Sequence, residues 1–345
     1  MLKIQENILL KEFTTFKLGG FARYFCVVRT NEDLHEVFLY IKSRRLPFFV
    51  LGGGSNLLIS DKGFPGLVIK NEIKGIKFID LPSSTSGRDS KIRVEIGSGE
   101  ILDDVVVLST MRNLFGLENL SGIPGTIGGA TVQNAGAYGV EIKDILLSVE
   151  GINFASGKKF IFDKNDCQYG YRESFFKKNS KYVITAVTLE LSKRMVLKLD
   201  YVNLKGLFEG KEDINSNDIR EVILKIRKEK LPDWHKLGTA GSYFKNPIIA
   251  AEKFEELKKQ FPEIVGFLEP KGKIKVPLAW ILDKICKLKG FKEDGVGLYD
   301  KQPIILVNYG QATAIDVIRF SEKIKKIVKE RTGIEIKEEV EIIKL

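Results

Sequence analysis

Leu34, Val37, Phe38 and Ile41 recur at helical spacing, and Thr30 with Asp33 stands at their start as a capping box. Pro47 closes that helix. Phe48-Phe49-Val50-Leu51 then reads as a short strand that runs directly into Gly52-Gly53-Gly54-Ser55-Asn56, and Leu57-Leu58-Ile59 resumes a strand. The polar stretch Pro82 to Ser90 predicts a loop or hairpin tip, and the alternation from Ile92 to Ile96 predicts a strand. A helix is expected over Ile101 to Phe115, followed by a glycine-rich tract from Gly116 to Gly139 and strand-like runs from Leu146 to Leu191. Ile219, Val222, Ile223 and Ile226 share one face of a helix over Asp218 to Lys230, which Pro232 stops, marking a domain boundary. Beyond it come helices near 250–260 and 278–288, then a strand at Ile304 to Val307. A helix carrying Val317, Phe320, Ile324 and Ile327 follows, with Gly333 just past its end. The tail from Ile334 to Leu345 alternates like a strand and is expected to rejoin an earlier sheet.

A chain of 345 residues exceeds one ordinary core and suits two or three domains. With 43% hydrophobic and 29% charged residues it has too much apolar content for disorder. It contains no apolar run of about 18 residues. The N-terminus has no uninterrupted apolar stretch or small-residue cleavage site, so a cytoplasmic location away from membranes is expected. Cys26, Cys167 and Cys286 are scattered, and the two histidines are His35 and His235. That set argues against a disulfide framework, a zinc site and a histidine-based triad, and leaves the chemistry to a cofactor. The net charge of +10 suits anionic ligands. Because lysines alternate with glutamates, as in Glu252 to Lys259, nucleic acid is the weaker option.

Five segments carry candidate chemistry. Gly52-Gly53-Gly54 after a strand is either a tight turn or a cradle in which backbone N–H groups meet phosphate oxygens; it fits neither the G-x-G-x-x-G nor the P-loop spacing. Gly122 to Ala130 and Gln133 to Gly139 mix glycines with amides and hydroxyls, which favours a surface for an extended ligand over a complex structural loop. Arg172, among the aromatics of Gly170 to Lys177, is either packed on a ring or held as a fork for a carboxylate. Ser242 has small neighbours and is an ordinary hydrogen-bonding serine, a proton donor, or, with His235 seven residues earlier, the less supported nucleophile of a Ser-His pair. Lys337 to Glu341 is a charge run in which, on a strand, Glu339 and Glu341 would share a face opposite Glu338.

In this order and spacing the segments resemble the UDP-N-acetylenolpyruvoylglucosamine reductase (MurB) family. The resemblance runs from Thr14-Thr15-Phe16-Lys17-Leu18-Gly19-Gly20 to Glu339-Val340. It rests on Leu51 to Asn56, Gly116 to Leu120, Ile123 to Gly125, Gln133-Asn134 with Gly136 to Gly139, Gly170 to Arg172, and Ala240 to Pro247. The resemblance implies an α+β protein with a two-part FAD-binding region of the vanillyl-alcohol-oxidase (PCMH) type and a C-terminal α/β substrate domain. FAD-binding subdomains are then expected at 1–75 and at 76–231, the latter joined by a returning strand at 333–345, with the substrate domain at 232–332. The resemblance further implies that NADPH reduces FAD and that a monomer reduces UDP-N-acetylglucosamine enolpyruvate to UDP-N-acetylmuramate. FAD would lie along Gly52, Gly53, Gly54, Ser55, Asn56, Pro124, Gly125, Gly129, Gln133, Asn134 and Gly136. Arg172, Ser242 and Glu339 would be catalytic. Tyr171, Tyr201, Arg227, Lys230, Asn246, Lys289 and Gln302 would hold the sugar nucleotide, Tyr201 marking the subgroup with a tyrosine-bearing loop.

Two positions depart from the family pattern. Glu338 stands where proline is usual, and Glu341 where a basic residue is usual, which would put a second negative charge on the face of Glu339. The rival readings are another flavoenzyme of the same fold, which would need no Ala240 to Pro247 segment, and a colourless nucleotide- or RNA-binding protein.

Overall fold

The computed structural model describes residues 2–80, 91–194, 208 and 213–343; the expected Pro82 to Ser90 loop and Tyr201 lie outside them. In chain order the elements begin with β1 (Gln5–Leu9), β2 (Phe21–Val28), α1 (Asn31–Arg44), β3 (Phe48–Leu51), β4 (Leu57–Ile59) and β5 (Phe64–Asn71). Thr30 and Asp33 make the expected capping box, and α1 buries Leu34, Val37, Phe38 and Ile41. The helix ends on Arg45, in the left-handed region at φ 52°, two residues before Pro47. There follow β6 (Ile76–Asp80), β7 (Lys91–Gly97), α2 (Leu102–Thr110), α3 (Ile127–Gln133), a small hairpin β8 (Gly136–Ala137) and β9 (Val140–Glu141), and α4 (Ile142–Ile145). Then come β10 (Leu146–Asn153), β11 (Lys158–Asp163), α5 (Phe175–Lys178), β12 (Tyr182–Ser192) and α6 (Ser216–Lys230).

The chain divides into two compact units, and neither is a contiguous stretch. The first comprises Met1–Ile8, Arg23–Gly53 and Pro65–Glu229. It holds a sheet in the order β1-β2-β5-β3, whose buried residues Val28, Leu67 and Ile69 cluster with those of α1. A second sheet, β11-β10-β12-β7-β6, has antiparallel neighbours throughout. The buried positions Val94, Ile96, Val149, Val187 and Leu189 alternate along its strands, and they pack with Val105 and Val106 of α2 and Ile127 of α3.

The second unit comprises Leu9–Ala22, Gly54–Phe64 and Lys230–Leu345. It contains β13 (Ile248–Ile249), α7 (Ala251–Gln260), β14 (Phe267–Glu269), β15 (Lys273–Lys275), a short α8 (Leu278–Trp280), β16 (Lys292–Glu293), β17 (Val296–Leu298), β18 (Leu306–Asn308), α9 (Ala314–Thr332) and β19 (Glu341–Ile343). Its core gathers Phe16, Leu58, Tyr243, Phe244, Leu282, Leu306, Val317, Phe320 and Ile324. Two early segments join it for physical reasons. Thr239 N–H donates to the Thr15 carbonyl (3.0 Å), and Asp61 accepts the N–H groups of Ala314 and Ile315 at the start of α9 (2.8 and 3.1 Å).

Two expectations are corrected here. The tail does not rejoin the 76–231 sheet: β19 pairs in parallel with β4, Glu341 opposite Leu57 and Ile343 opposite Ile59. Only its last residues form that strand, because Lys337 to Val340 pair instead with Tyr243 to Lys245. The expected helix over 278–288 is a three-residue α turn that widens into a π segment at Ile281–Ile285. No helix among the described residues is long and apolar enough to cross a membrane.

Candidate active site

The residues picked out by sequence fall in both units. In the first, Arg172 occupies a tight turn in which Gly170 and Glu173 exchange N–H to carbonyl bonds of 3.0 and 3.2 Å. Its backbone is left-handed, at φ 55°. Its Nη2 donates to the Gly136 carbonyl at 2.6 Å and Nη1 to the Asn134 carbonyl at 3.4 Å, while Glu141 Oε1 lies 3.6 Å from Nη1. The Tyr171 ring centroid is 5.3 Å from the guanidinium carbon. A side chain on Gly136 would crowd the Glu141 stem and the guanidinium, so glycine there lets Arg172 close on the backbone.

Asn134 differs from the expectation that its amide reads a ligand. It is fully buried at φ 48°; its Nδ2 donates to Glu141 Oε2 and to the Gly170 carbonyl, both at 2.9 Å, and its Oδ1 accepts from Lys143 N–H at 3.1 Å. With both amide protons and the oxygen bonded within the protein, Asn134 braces the Arg172 turn. Gln133 Oε1 accepts from Lys177 Nζ (2.8 Å), which also donates to the Arg172 carbonyl (3.2 Å).

The glycines test whether an extended cofactor fits. Gly52 and Gly53 of the first tract face Gly125 and Thr126 of the second. A Cβ on Gly53 would run into the Gly125 backbone, and one on Gly52 would come within 2.7 Å of Thr126 Oγ1. In the second unit a Cβ on Gly54 would collide with the Phe13 carbonyl. These three glycines are therefore required by the chain's own neighbours. Gly129 is different: it is exposed, and a Cβ there would meet nothing nearer than 3.5 Å. The open face at Gly129 leaves room for an extended group such as a flavin nucleotide. Thr126 caps α3, its hydroxyl accepting Gly129 N–H at 3.4 Å. Lys70, absent from the sequence-based candidates, donates its half-buried ammonium to the Gly52 carbonyl, and burial lowers its pKa. Its signal was a lone cation ending the apolar run Leu67-Val68-Ile69.

Arg227 lies on α6 in a network that also runs through the second tract. Its Nη2 donates to the Gly122 carbonyl at 2.9 Å; Gly122 N–H in turn donates to Asp103 Oδ1 at 2.7 Å, and Arg220 grips the same carboxylate with two bonds of 2.5 and 2.9 Å. Burial pulls the Arg227 pKa down, opposed by Tyr138 and Asp103. For Asp103, burial works to raise the pKa, but the Arg220 and Gly122 bonds hold it below the ordinary range. Neither Asp103 nor Arg220 carries a motif that sequence reading could use.

In the second unit Ser242 is half-buried and placed by backbone alone. It bridges Ile305, the next residue donates Tyr243 N–H to the Ile304 carbonyl (2.9 Å), and Gly241 before it sits at φ 72°. Glu339 reaches the same strand: its N–H donates to the Tyr243 carbonyl at 2.8 Å, and its carbonyl accepts from Asn56 Nδ2 at 3.3 Å. Asn56 thereby ties the first glycine tract to the tail, and half-buried Ser55 lies beside it. Glu339 is half-buried, whereas Glu341 is exposed on β19, so the two do not share the environment that strand parity predicted. Asn246 Oδ1 accepts from Leu278 N–H (2.9 Å) at the start of α8. Gln302 forms the turn before β18, and Lys230 and Lys289 are exposed.

Residues 22–162 match the profile of an FAD binding domain, and residues 233–343 match that of the UDP-N-acetylenolpyruvoylglucosamine reductase C-terminal domain. The UDP-N-acetylenolpyruvoylglucosamine reductase of Pseudomonas aeruginosa is 38% identical over 341 residues, covering 98% of either chain. That of Bacteroides fragilis is 38% identical over 344 residues, covering 99% of this chain and all of that one. The crystal structure of the Thermus caldophilus enzyme superposes with a TM-score of 0.68 at 25% identity, covering 100% of both chains.

Proposed function

The chain belongs to the UDP-N-acetylenolpyruvoylglucosamine reductase family, an FAD-dependent oxidoreductase that reduces UDP-N-acetylglucosamine enolpyruvate to UDP-N-acetylmuramate with NADPH, and we propose how its own residues do so. FAD, once reduced by NADPH, supplies the hydride to the enolpyruvyl double bond. As that bond is reduced, negative charge develops on the carbon beside the substrate carboxylate. Arg172 stabilises that charge. Its guanidinium is already oriented by the Gly136 and Asn134 carbonyls and by Glu141, so little reorganisation accompanies the reaction. Glu339 acts on the same carboxyl group from the tail. Ser242 donates its hydroxyl proton to the carbanion carbon. Arg227, Lys230, Asn246, Lys289 and Gln302, with Tyr171 and Tyr201, hold the sugar nucleotide.

The observation that carries the reading is Arg172 pinned on Gly136, at the end of a glycine tract whose exposed Gly129 leaves room for a cofactor. The test is stopped-flow absorbance on the yellow protein. NADPH should bleach the flavin band, and the enolpyruvyl sugar nucleotide should restore it. A flavin that NADPH reduces but the sugar nucleotide fails to reoxidise would make this another flavoenzyme of the same fold.

A further inference from the structure

The departure at Glu338 has a counterpart on α9. Lys325 Nζ pairs with Glu338 Oε1 and also lies 2.8 Å from Glu322 Oε1. The side chains of Lys325 and Glu338 are 24% and 22% exposed, so the pair is shielded well beyond an ordinary surface ion pair. α9 itself is firmly seated: Val317, Phe320, Ser321, Ile324 and Val328 are buried along it. Lys325 is thus a cation on a fixed helix, directed at the tail.

The backbone around Glu338 explains what such a grip controls. Residue 338 stands opposite Phe244 in an isolated antiparallel bridge. The bonds of that bridge are made by its neighbours: Lys245 N–H donates to the Lys337 carbonyl, and Glu339 N–H donates to the Tyr243 carbonyl, each at 2.8 Å. The N–H of residue 338 takes no part, and for that reason a proline is admissible there. Immediately afterwards the chain changes partner, and Glu341 N–H donates to the Asn56 carbonyl at 3.0 Å. Glu339 therefore sits at the joint between a one-residue bridge and a three-residue strand, where the chain changes partner.

We infer that Glu338 and Lys325 are positioning residues for Glu339: their ion pair fixes the torsions of the joint from the helix side, as the ring of a proline would fix them from within the chain. The inference rests on the role proposed for Glu339. Lys325→Met leaves Glu338 partly buried without this cation, and either single change leaves the joint to its backbone bonds, from Glu339 and Val340 N–H to the Tyr243 carbonyl and from Asn56 Nδ2 to the Glu339 carbonyl. Misplacement of a reacting group by a fraction of an ångström is enough to slow a step substantially.

The test uses the FAD-loaded protein and the variants Lys325→Met, Glu338→Gln, Glu338→Pro and the double variant Lys325→Met with Glu338→Pro. Lys325→Met and Glu338→Gln should each slow flavin reoxidation by the sugar nucleotide about tenfold while leaving reduction by NADPH within about twofold. Hydrogen exchange at the Glu339 amide should quicken about tenfold in both, with the Ile324 amide unchanged. Glu338→Pro alone should resemble the parent, and the double variant should regain parental exchange and reoxidation. Two results would overturn the inference: parental exchange and rates in Lys325→Met and Glu338→Gln, or a folded double variant that proline fails to rescue. Glu339→Gln separates the two readings. If it leaves reoxidation untouched, the role of Glu339 is wrong. If it slows reoxidation while the Lys325 and Glu338 variants behave as parent, only the clamp is wrong. Should Lys325→Met fail to fold, the charge exchange Lys325→Glu with Glu338→Lys gives the same decision.

Discussion

Arg172 and Ser242, for which charge-stabilising and proton-donating roles are proposed, are held in different ways. Arg172 is held by its side chain: two carbonyls and a carboxylate engage the guanidinium, and Asn134 braces both the carboxylate and the turn. Ser242 is held by its backbone, through a bridge to Ile305 and the pairing of Tyr243 with Ile304 and Glu339, after a glycine around which a Cβ would meet nothing within 4 Å. A charge that must stabilise another charge benefits from a fixed direction. A hydroxyl that must release its proton has to remain able to turn. The first arrangement should therefore be sensitive to the side chains around it, the second mainly to the serine itself.

The largest effect sharpens that contrast. Ser242→Ala should slow flavin reoxidation by roughly 10²–10⁴-fold and leave NADPH reduction nearly intact. Arg172→Ala should slow the same half-reaction by about 10²–10³-fold. Rapid-mixing absorbance reads both, and an equal loss in the two half-reactions of Ser242→Ala removes the serine from the acid role. Next, Asn134→Ala removes three hydrogen bonds and places alanine at a left-handed backbone. It should cost about 3 kcal/mol of stability in urea unfolding. Reoxidation should slow with it, and unchanged reoxidation in the folded variant would break the comparison at its Arg172 end.

Smaller effects separate glycines that serve the fold from the one that leaves room. Gly53→Ala, pressed on Gly125, should destabilise the protein by about 1–3 kcal/mol. Gly129→Ala lies within α3 and should raise the melting temperature slightly while weakening FAD binding in a flavin titration. The smallest effect concerns Glu118, buried near the start of the second tract with its carboxylate accepting Gly116 N–H at 2.5 Å. Burial raises its pKa in spite of the surrounding N–H groups. The folded state then binds the proton more tightly than the unfolded chain. Its contribution to stability is complete below the ordinary glutamate pKa and declines as pH rises through the folded value. Glu118→Gln should flatten that decline in urea midpoints measured upward from just above the ordinary glutamate value.

Local patterns in the chain anticipated most elements. The capping box before α1, the alternation of β7, the face of α6 and the glycine after α9 act over a few residues, and the structure contains them. Segment order also pointed to the family. Pairing partners were less legible. A strand of three residues, Glu341–Ile343, has too little pattern to announce that it will join Leu57–Ile59, and the partner of Glu338 was hidden because it is a lysine brought by α9.

What the chain determined alone was residue chemistry and short-range geometry: which positions are apolar at which period, where glycine or a capping hydroxyl stands, and which arginine and serine lie in recognisable surroundings. The tertiary structure decided which glycines are met by the protein's own atoms, that the Asn134 amide bonds within the protein, and which partners Lys70, Asp103 and Lys325 have. The reason is physical. Propensity and periodicity are set by neighbours a few bonds away, whereas the partner of a buried donor, or the atom that would meet a missing Cβ, is supplied by residues from another part of the chain, as Gly125 is to Gly53 and Arg220 is to Asp103.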